Sequence, residues 1–181
     1  GFRFIISGTL TPAFGIIEGV NWFLKLLEKY PQSTLTIVGH IPLKGFQLEL
    51  KKIIENQPQI IFQGSDLPLA HQTILANYSK ADFALAPYQN HPEIRSKIPS
   101  KFFESIALSV PVLHSPNENW SNFLKKYSAG YAIDFSKRDD AAEVFQDVLE
   151  QNFFPTTPDK SIHWKSDEED FLKAIERLLH S

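Results

Sequence analysis

The 181-residue sequence contains no cysteine and no methionine. Without cysteine there is no disulfide, no thiol nucleophile and no Cys-ligated zinc, a pattern that fits a reducing compartment. Without methionine, and with Gly1-Phe2-Arg3 running straight into the apolar Phe4-Ile5-Ile6, the chain reads as an excised domain. A missing upstream part is then expected to supply the other half of any active site. No apolar run approaches the roughly 20 residues needed to span a bilayer, and no stretch has the form of a signal peptide. An excess of one charge is also lacking. Lys and Arg number 18 against 21 Asp and Glu, a net charge of −3. No global basic field is available to recruit nucleic acid or an anionic membrane.

Several chemical motifs are missing too. There is no G-x-G-x-x-G or G-x-x-x-x-G-K-[ST] phosphate loop, which argues against a dinucleotide dehydrogenase or a P-loop NTPase. No G-x-S-x-G elbow occurs, which argues against an α/β-hydrolase. The six histidines (His40, His71, His91, His114, His163, His180) never fall at i, i+3 or i, i+4 spacing, so no zinc site is suggested. Aromatic residues sit at core spacing and do not alternate with Lys or Arg, unlike a stacking platform for single strands.

What is present is an alternation of short apolar runs and amphipathic stretches, with hydrophobic content of 43%, ordinary for a folded domain. Strands are expected at Arg3–Ser7, Thr34–Val38, Gln59–Gln63, Asp82–Ala86, Val110–Leu113 and Tyr131–Ile133. Helices are expected at Ile16–Tyr30, Phe46–Asn56, Leu69–Lys80, from Ser100 onward, Trp120–Tyr127 and Asp139–Gln151, the last with Ala142, Phe145, Val148 and Leu149 inward. Gly130 is expected to break the fifth of these. A polar loop, Tyr88–Pro99, separates the fourth strand from the Ser100 helix. Residues 153–181 read as an irregular linker and a closing amphipathic helix over Lys165–His180, packed on the domain formed by residues 1–152. Strand and helix alternating about six times predicts an α/β, Rossmann-like parallel sheet with helices on both faces. Ligands of such sheets bind outside the carboxyl ends of the strands.

One of those ends is chemically distinctive. Ser96 to His114 reads as a loop, a helix opening on Ser100 as N-cap, and a buried strand. Lys101 lies in the first turn, where the helix dipole disfavours a cation unless an anion is near. Glu104 lies one turn on, on the same side. A helix start bearing Ser, Lys and Glu can hold a ligand that has both phosphates and hydroxyls, although a solvated helix start is the ordinary reading of these residues alone.

Taken in order, several segments resemble one family. Ile5-Ile6-Ser7-Gly8-Thr9-Leu10-Thr11-Pro12 with Gly15 is similar to a first strand followed by a G-x-L-x-x-x-K-G loop. Leu35-Thr36-Ile37-Val38-Gly39 resembles L-x-I-V-G, and Ile60-Ile61-Phe62-Gln63-Gly64 resembles V-x-F-x-G. Tyr78 to Pro87 resembles Y-x-x-A-D-x-x-L-x-P, and Ser96 to Val112 resembles S-x-P-x-K-x-x-E-x-x-A-x-G-x-P-V. His163-Trp164 is similar to a tryptophan ahead of a closing helix. Each piece is weak, but the ordered set covers nearly the whole chain. It resembles the C-terminal, donor-binding half of GT-B glycosyltransferases of group 1 (family 4).

The resemblance implies transfer of a hexose from an NDP-sugar to a glycan or lipid-linked acceptor, with retention of configuration. It implies no cofactor and no tightly bound metal. It implies that Gly8, Thr9, Lys101 and Arg95 face the donor diphosphate, that Gly39, His40 and Gly64 frame the base, and that Glu104 accepts from the ribose hydroxyls. No catalytic residue is implied within this half. The implied partners are the nucleotide-sugar, the acceptor and an N-terminal domain, with no nucleic acid. The implied location is cytoplasmic, with attachment at the inner membrane face open for the full-length protein. The departures are Thr9 and Phe14, which stand where the family often has Arg and Lys, Ser96 in place of the first acid of an E-x7-E pair, and Ser109 in place of Gly. Arg95, Lys97 or Lys101 are the cations available to make up the lost charge. A second reading is a Rossmann-like structural or interaction module that has lost donor binding. A third, a flavodoxin-like or receiver-like module, is disfavoured by the lack of an acidic cluster at the strand ends.

Overall fold

The computed structural model describes residues 1–89, 91–158 and 162. Apolar runs too short and too continuous for amphipathic helices become central strands. In β1 (Arg3–Thr9), Phe4, Ile5 and Ile6 are each 1% exposed, so both faces of the strand are covered. β1 pairs in parallel with β2 (Thr34–His40) and with β4 (Phe83–Ala86). β2 carries β3 (Ile60–Ser65), and β4 carries β5 (Val112–His114), which carries β6 (Gly130–Ala132). The sheet is therefore six-stranded and parallel, with the order β3-β2-β1-β4-β5-β6.

Alternating strand residues feed two cores. Phe4, Ile6, Leu35, Ile37, Phe83 and Leu85 pack with α1 (Ile16–Leu26), α2 (Lys44–Ile54) and α7 (Ala141–Leu149). Phe145 of α7 is fully buried there, its ring 5.0 Å from Phe2, 5.3 Å from Phe4, 5.3 Å from Phe83 and 5.4 Å from Tyr30. On the opposite face, Ile5, Val38, Ala84, Ala86 and Val112 pack with α3 (His71–Tyr78), α5 (Ser100–Ala107) and α6 (Glu118–Lys125). The fold is thus α/β and Rossmann-like, with helices on both faces. The strand order reverses between β1 and β4, so the chain leaves those two neighbours toward opposite faces and opens a crevice between their ends.

Several boundaries differ from those read in the sequence, for local reasons. Pro99, not Ser100, occupies the N-cap of α5, and no side chain caps it; Ser100 is the first helical residue. α6 begins at Glu118 because the Asn117 side chain accepts from the Trp120 N–H at 3.2 Å, a cap three residues ahead of the apolar periodicity. Gly130 does not merely end that helix but opens β6. A Cβ there would lie 2.5 Å from Leu124 Cδ1 and 2.9 Å from Leu124 Cβ, so a side chain at this position would have to push Leu124 of α6 aside. The fifth strand runs Val112–His114 rather than from Val110. α7 starts at Ala141 after a 3-10 turn, Arg138–Asp140, so its inner stripe is Ala141, Phe145 and Val148; Leu149 is 42% exposed and Ala142 only half-buried. The loop Tyr88–Pro99 contains one helical turn, α4 (Pro92–Arg95). The helix expected over Lys165–His180 and the His163-Trp164 pair lie outside the described residues. Among the described residues no helix is long and apolar enough to cross a membrane.

Candidate functional site

At the carboxyl end of β1 the backbone leaves the sheet through Gly8, whose φ of 101° lies in the left-handed region. Gly8 stands in register with Gly39 of β2, which stands in register with Gly64 of β3. A Cβ on Gly39 would meet the Gly8 carbonyl oxygen at 1.8 Å, so the two strand ends approach as only glycine allows. Gly15, with φ of 63°, performs a second close approach. A Cβ there would lie 1.7 Å from the Pro87 carbonyl oxygen, so the start of α1 is pressed against the exit of β4. Glycine at these positions brings the β1 and β4 loops together as one wall.

Across this crevice, α5 aims Lys101 at the end of β1. Its Nζ donates to the Ser7 carbonyl at 2.5 Å. The ammonium also lies 4.9 Å from the Tyr88 ring centre and 5.9 Å from that of Phe14, and the two rings are themselves 5.1 Å apart. Burial pushes the Lys101 pKa down to about 8, with Glu104 acting in the opposite direction. Glu104 lies one turn along α5. Its side chain is 24% exposed and comes within 3.7 Å of His71 Nδ1. Beneath the wall, Ser7 Oγ donates to the Tyr78 hydroxyl at 3.0 Å, and burial raises that phenol to about 12, which keeps it neutral.

Ser7, Phe14, Tyr88, Lys101 and Glu104 line a cleft of about 590 Å³. Gly8, Thr9, Lys101 and Glu104, named from the sequence, all face it. Phe14 and Tyr88 form its aromatic side, and Glu93 and Lys97 from the α4 segment form its far wall. Arg95 does not line the cleft. It borders a separate cavity beside Asn117 and Asn119, and its carbonyl accepts from Asn117 Nδ2 at 3.0 Å. Gly39, His40 and Gly64 do not line the cleft either. They sit further along the same sheet edge, at the ends of β2 and β3. No group of three or more His, Asp or Glu among the described residues is placed to hold a metal ion. Three features of the site were missed in the sequence. Phe14 reads there only as a lost cation, whereas in the fold its ring faces the cation that remains. Tyr88 could have been singled out as an aromatic directly after a strand-ending proline. Trp120, whose Nε1 donates to the Lys97 carbonyl at 2.8 Å, leaves no signal, because its partner is backbone.

The cleft lies at the topological switch point of a doubly wound sheet, and the fold is that of the C-terminal domain of GT-B glycosyltransferases. No protein-family model matches the sequence and no curated protein matches it. Solved structures do. The chain is similar to the C-terminal domain of the glycosyl transferase group 1 family protein LpcC from Francisella tularensis, with a TM-score of 0.64 and 18% identity over 83% of this chain and 76% of that one. It is similar to AviGT4, a glycosyltransferase involved in avilamycin A biosynthesis, with a TM-score of 0.65 and 14% identity over 100% of this chain and 52% of that one. It is also similar to the pneumococcal O-GlcNAc transferase GtfA, solved with UDP and GlcNAc, with a TM-score of 0.70 and 14% identity over 99% of this chain and 36% of that one. The chain therefore spans about half of AviGT4 and about a third of GtfA.

Proposed function

We propose that this chain is the donor-binding half of a glycosyltransferase that moves a hexose from an NDP-sugar to a glycan or lipid-linked acceptor, with retention. The observation that supports this most is the joint placement of Lys101 and Glu104, one helical turn apart, on the wall of a cleft at the β1/β4 switch point. The cation and the N-terminal turn of α5, which no side chain caps, suit a diphosphate. The carboxylate suits a vicinal diol, to which it can accept two charge-assisted hydrogen bonds. Gly8 lets a phosphate approach backbone, and Thr9 offers a hydroxyl beside it. In transfer, the leaving diphosphate gains charge as the glycosidic bond breaks, and a fixed ammonium in a partly water-excluded site stabilises that charge. Gly39, His40 and Gly64, further along the same edge, are where the base would extend. The structural neighbours support the reading, since one of them is described with UDP and GlcNAc. An N-terminal domain would hold the acceptor, and this half alone would bind donor without turning it over.

Calorimetric titration with UDP, GDP and their sugars tests the proposal. Binding by at least one is expected, and absence of binding at millimolar concentration by all of them refutes it. Glu104→Ala removes two charge-assisted bonds of about 1.5–3 kcal/mol each at most, so a loss of tenfold or more is expected with the fold intact. Parent-like affinity in that variant removes the ribose assignment. A second reading, in which donor binding has been lost, rests on Thr9 and Phe14 at positions where the family often carries cations, and the same titration decides between the two.

A further inference from the structure

Thr9 and Phe14, in the loop that faces Lys101, carry no charge, yet a diphosphate carries at least two negative charges. We propose that Lys97 is the second diphosphate-binding cation of this site, and that the first turn of α6, through Trp120 and Asn117, is the device that positions it. The inference rests on the donor-binding reading and names the residues that complete it.

Three observations converge. Of the charged residues on the α4 segment, Glu93 and Lys97 line the same cleft as Lys101, whereas Arg95 borders a different cavity. Lys97 is therefore the cation of this segment that shares a space with the Lys101 ammonium. Lys97 also forms no ion pair among the described residues, so its charge is not already committed to a carboxylate. Finally, the backbone that carries it is clamped from outside the segment. Trp120 Nε1 donates to the Lys97 carbonyl at 2.8 Å, and Asn117 Nδ2 donates to the Arg95 carbonyl at 3.0 Å.

The clamp connects both sides of the cleft. Trp120 is 1% exposed, and its ring meets Tyr88 edge-on at 5.4 Å. Tyr88 in turn lies beneath the Lys101 ammonium. One buried indole thus fixes the main chain at Lys97 and the aromatic face under Lys101. A loop held only by its own turns would let the Lys97 side chain sample solvent. Anchoring its main chain at two carbonyls lowers the ordering cost of a phosphate contact. Trp120 and Asn117 touch no ligand in this scheme; they act through Lys97.

Binding of UDP and GDP, measured by calorimetry at low and moderate salt, tests the proposal on the parent chain and four variants. Lys97→Ala is expected to weaken whichever diphosphate binds by about fivefold and to flatten its salt dependence, as for a partly solvated ion pair. Arg95→Ala is expected to bind like the parent. Trp120→Phe keeps a ring but lacks the indole N–H. It should also weaken binding, but by little more when added to Lys97→Ala, because both changes remove one contact. If Trp120→Phe does not fold, Asn117→Ser, which keeps an N-cap oxygen but lacks the amide, takes its place. If the parent binds neither nucleotide, the donor reading itself fails. If the parent binds and Lys97→Ala binds as tightly with the same salt dependence, the donor reading stands and the assignment of Lys97 is overturned. Losses that simply add in the double variant overturn the positioning role of α6.

Discussion

Lys101 is the residue on which function and stability pull hardest in opposite directions, and Lys101→Met separates the two. Burial lowers its pKa from the ordinary 10.5 to about 8 in the folded chain. A displacement of that size corresponds to roughly 3 kcal/mol by which the fold disfavours the charged form. The sign follows from linkage. Below pH 8 both folded and unfolded chains carry the charge, and the full penalty is present. Between pH 8 and 10.5 the folded chain sheds the proton while the unfolded chain keeps it, so stability rises with pH. Above 10.5 the amine is neutral in both states and the penalty is gone. Methionine keeps the unbranched side chain as far as Cε and can pack against Phe14 and Tyr88, but it cannot donate to the Ser7 carbonyl, a loss of about 1 kcal/mol.

The variant should therefore be more stable than the parent by about 2 kcal/mol at pH 7, and the advantage should shrink through pH 8–10 and vanish or reverse above it. Urea denaturation of both chains at pH 7 and pH 10 reads this directly. Other titrating groups are common to the pair and cancel in the difference. At the same time the variant should lose affinity for a nucleoside diphosphate. A Lys101→Met chain that is less stable than the parent at pH 7, by an amount that does not change with pH, refutes the account of Lys101 as a desolvated cation held in reserve for an anion.

Two further outcomes concern the frame around the site. Phe145→Ala empties a position in the middle of the Phe2, Phe4, Tyr30 and Phe83 cluster and should cost about 3–5 kcal/mol in chemical denaturation, with the loss confined to stability if any nucleotide affinity survives. Gly39→Ala places a methyl 1.8 Å from the Gly8 carbonyl oxygen, so β1 and β2 must separate at the cleft edge; a melting temperature like that of the parent would contradict the close approach.

The sheet was legible because each strand is a short apolar run between polar or glycine-bearing turns, and parallel order follows from helices lying between them. Ile5-Ile6-Ser7-Gly8 and Leu35-Thr36-Ile37-Val38-Gly39 show strand and exit in a few letters. Helix ends were less legible. The Asn117 cap outranked the apolar periodicity that begins at Trp120, and the N-cap of α5 is Pro99, with no side chain capping the helix. Within the site, Lys101 and Glu104 could be paired from sequence because they share one turn. The separation of Arg95 from Lys97, two residues apart, could not. It depends on how the chain turns as it leaves α4, and the hydrogen bonds that anchor it there run from side chains of α6 and its cap to main-chain carbonyls.

The aromatic surface beside Lys101 also bears on what the site can be expected to do. A lysine at position 14 would add a charge in the β1 loop beside Lys101, and each cation would raise the electrostatic cost of the other. A phenylalanine there offers a ring face instead, and Tyr88 offers a second, so the Lys101 ammonium is retained by quadrupoles and one carbonyl rather than by a carboxylate. Such partners hold a cation without neutralising it. The charge remains available to an incoming phosphate, which strengthens the contact by displacing water from a site where part of the desolvation has already been met by the fold. On this view Phe14 holds the Lys101 ammonium without neutralising it and leaves that charge, together with Lys97 on the far wall, available to a diphosphate.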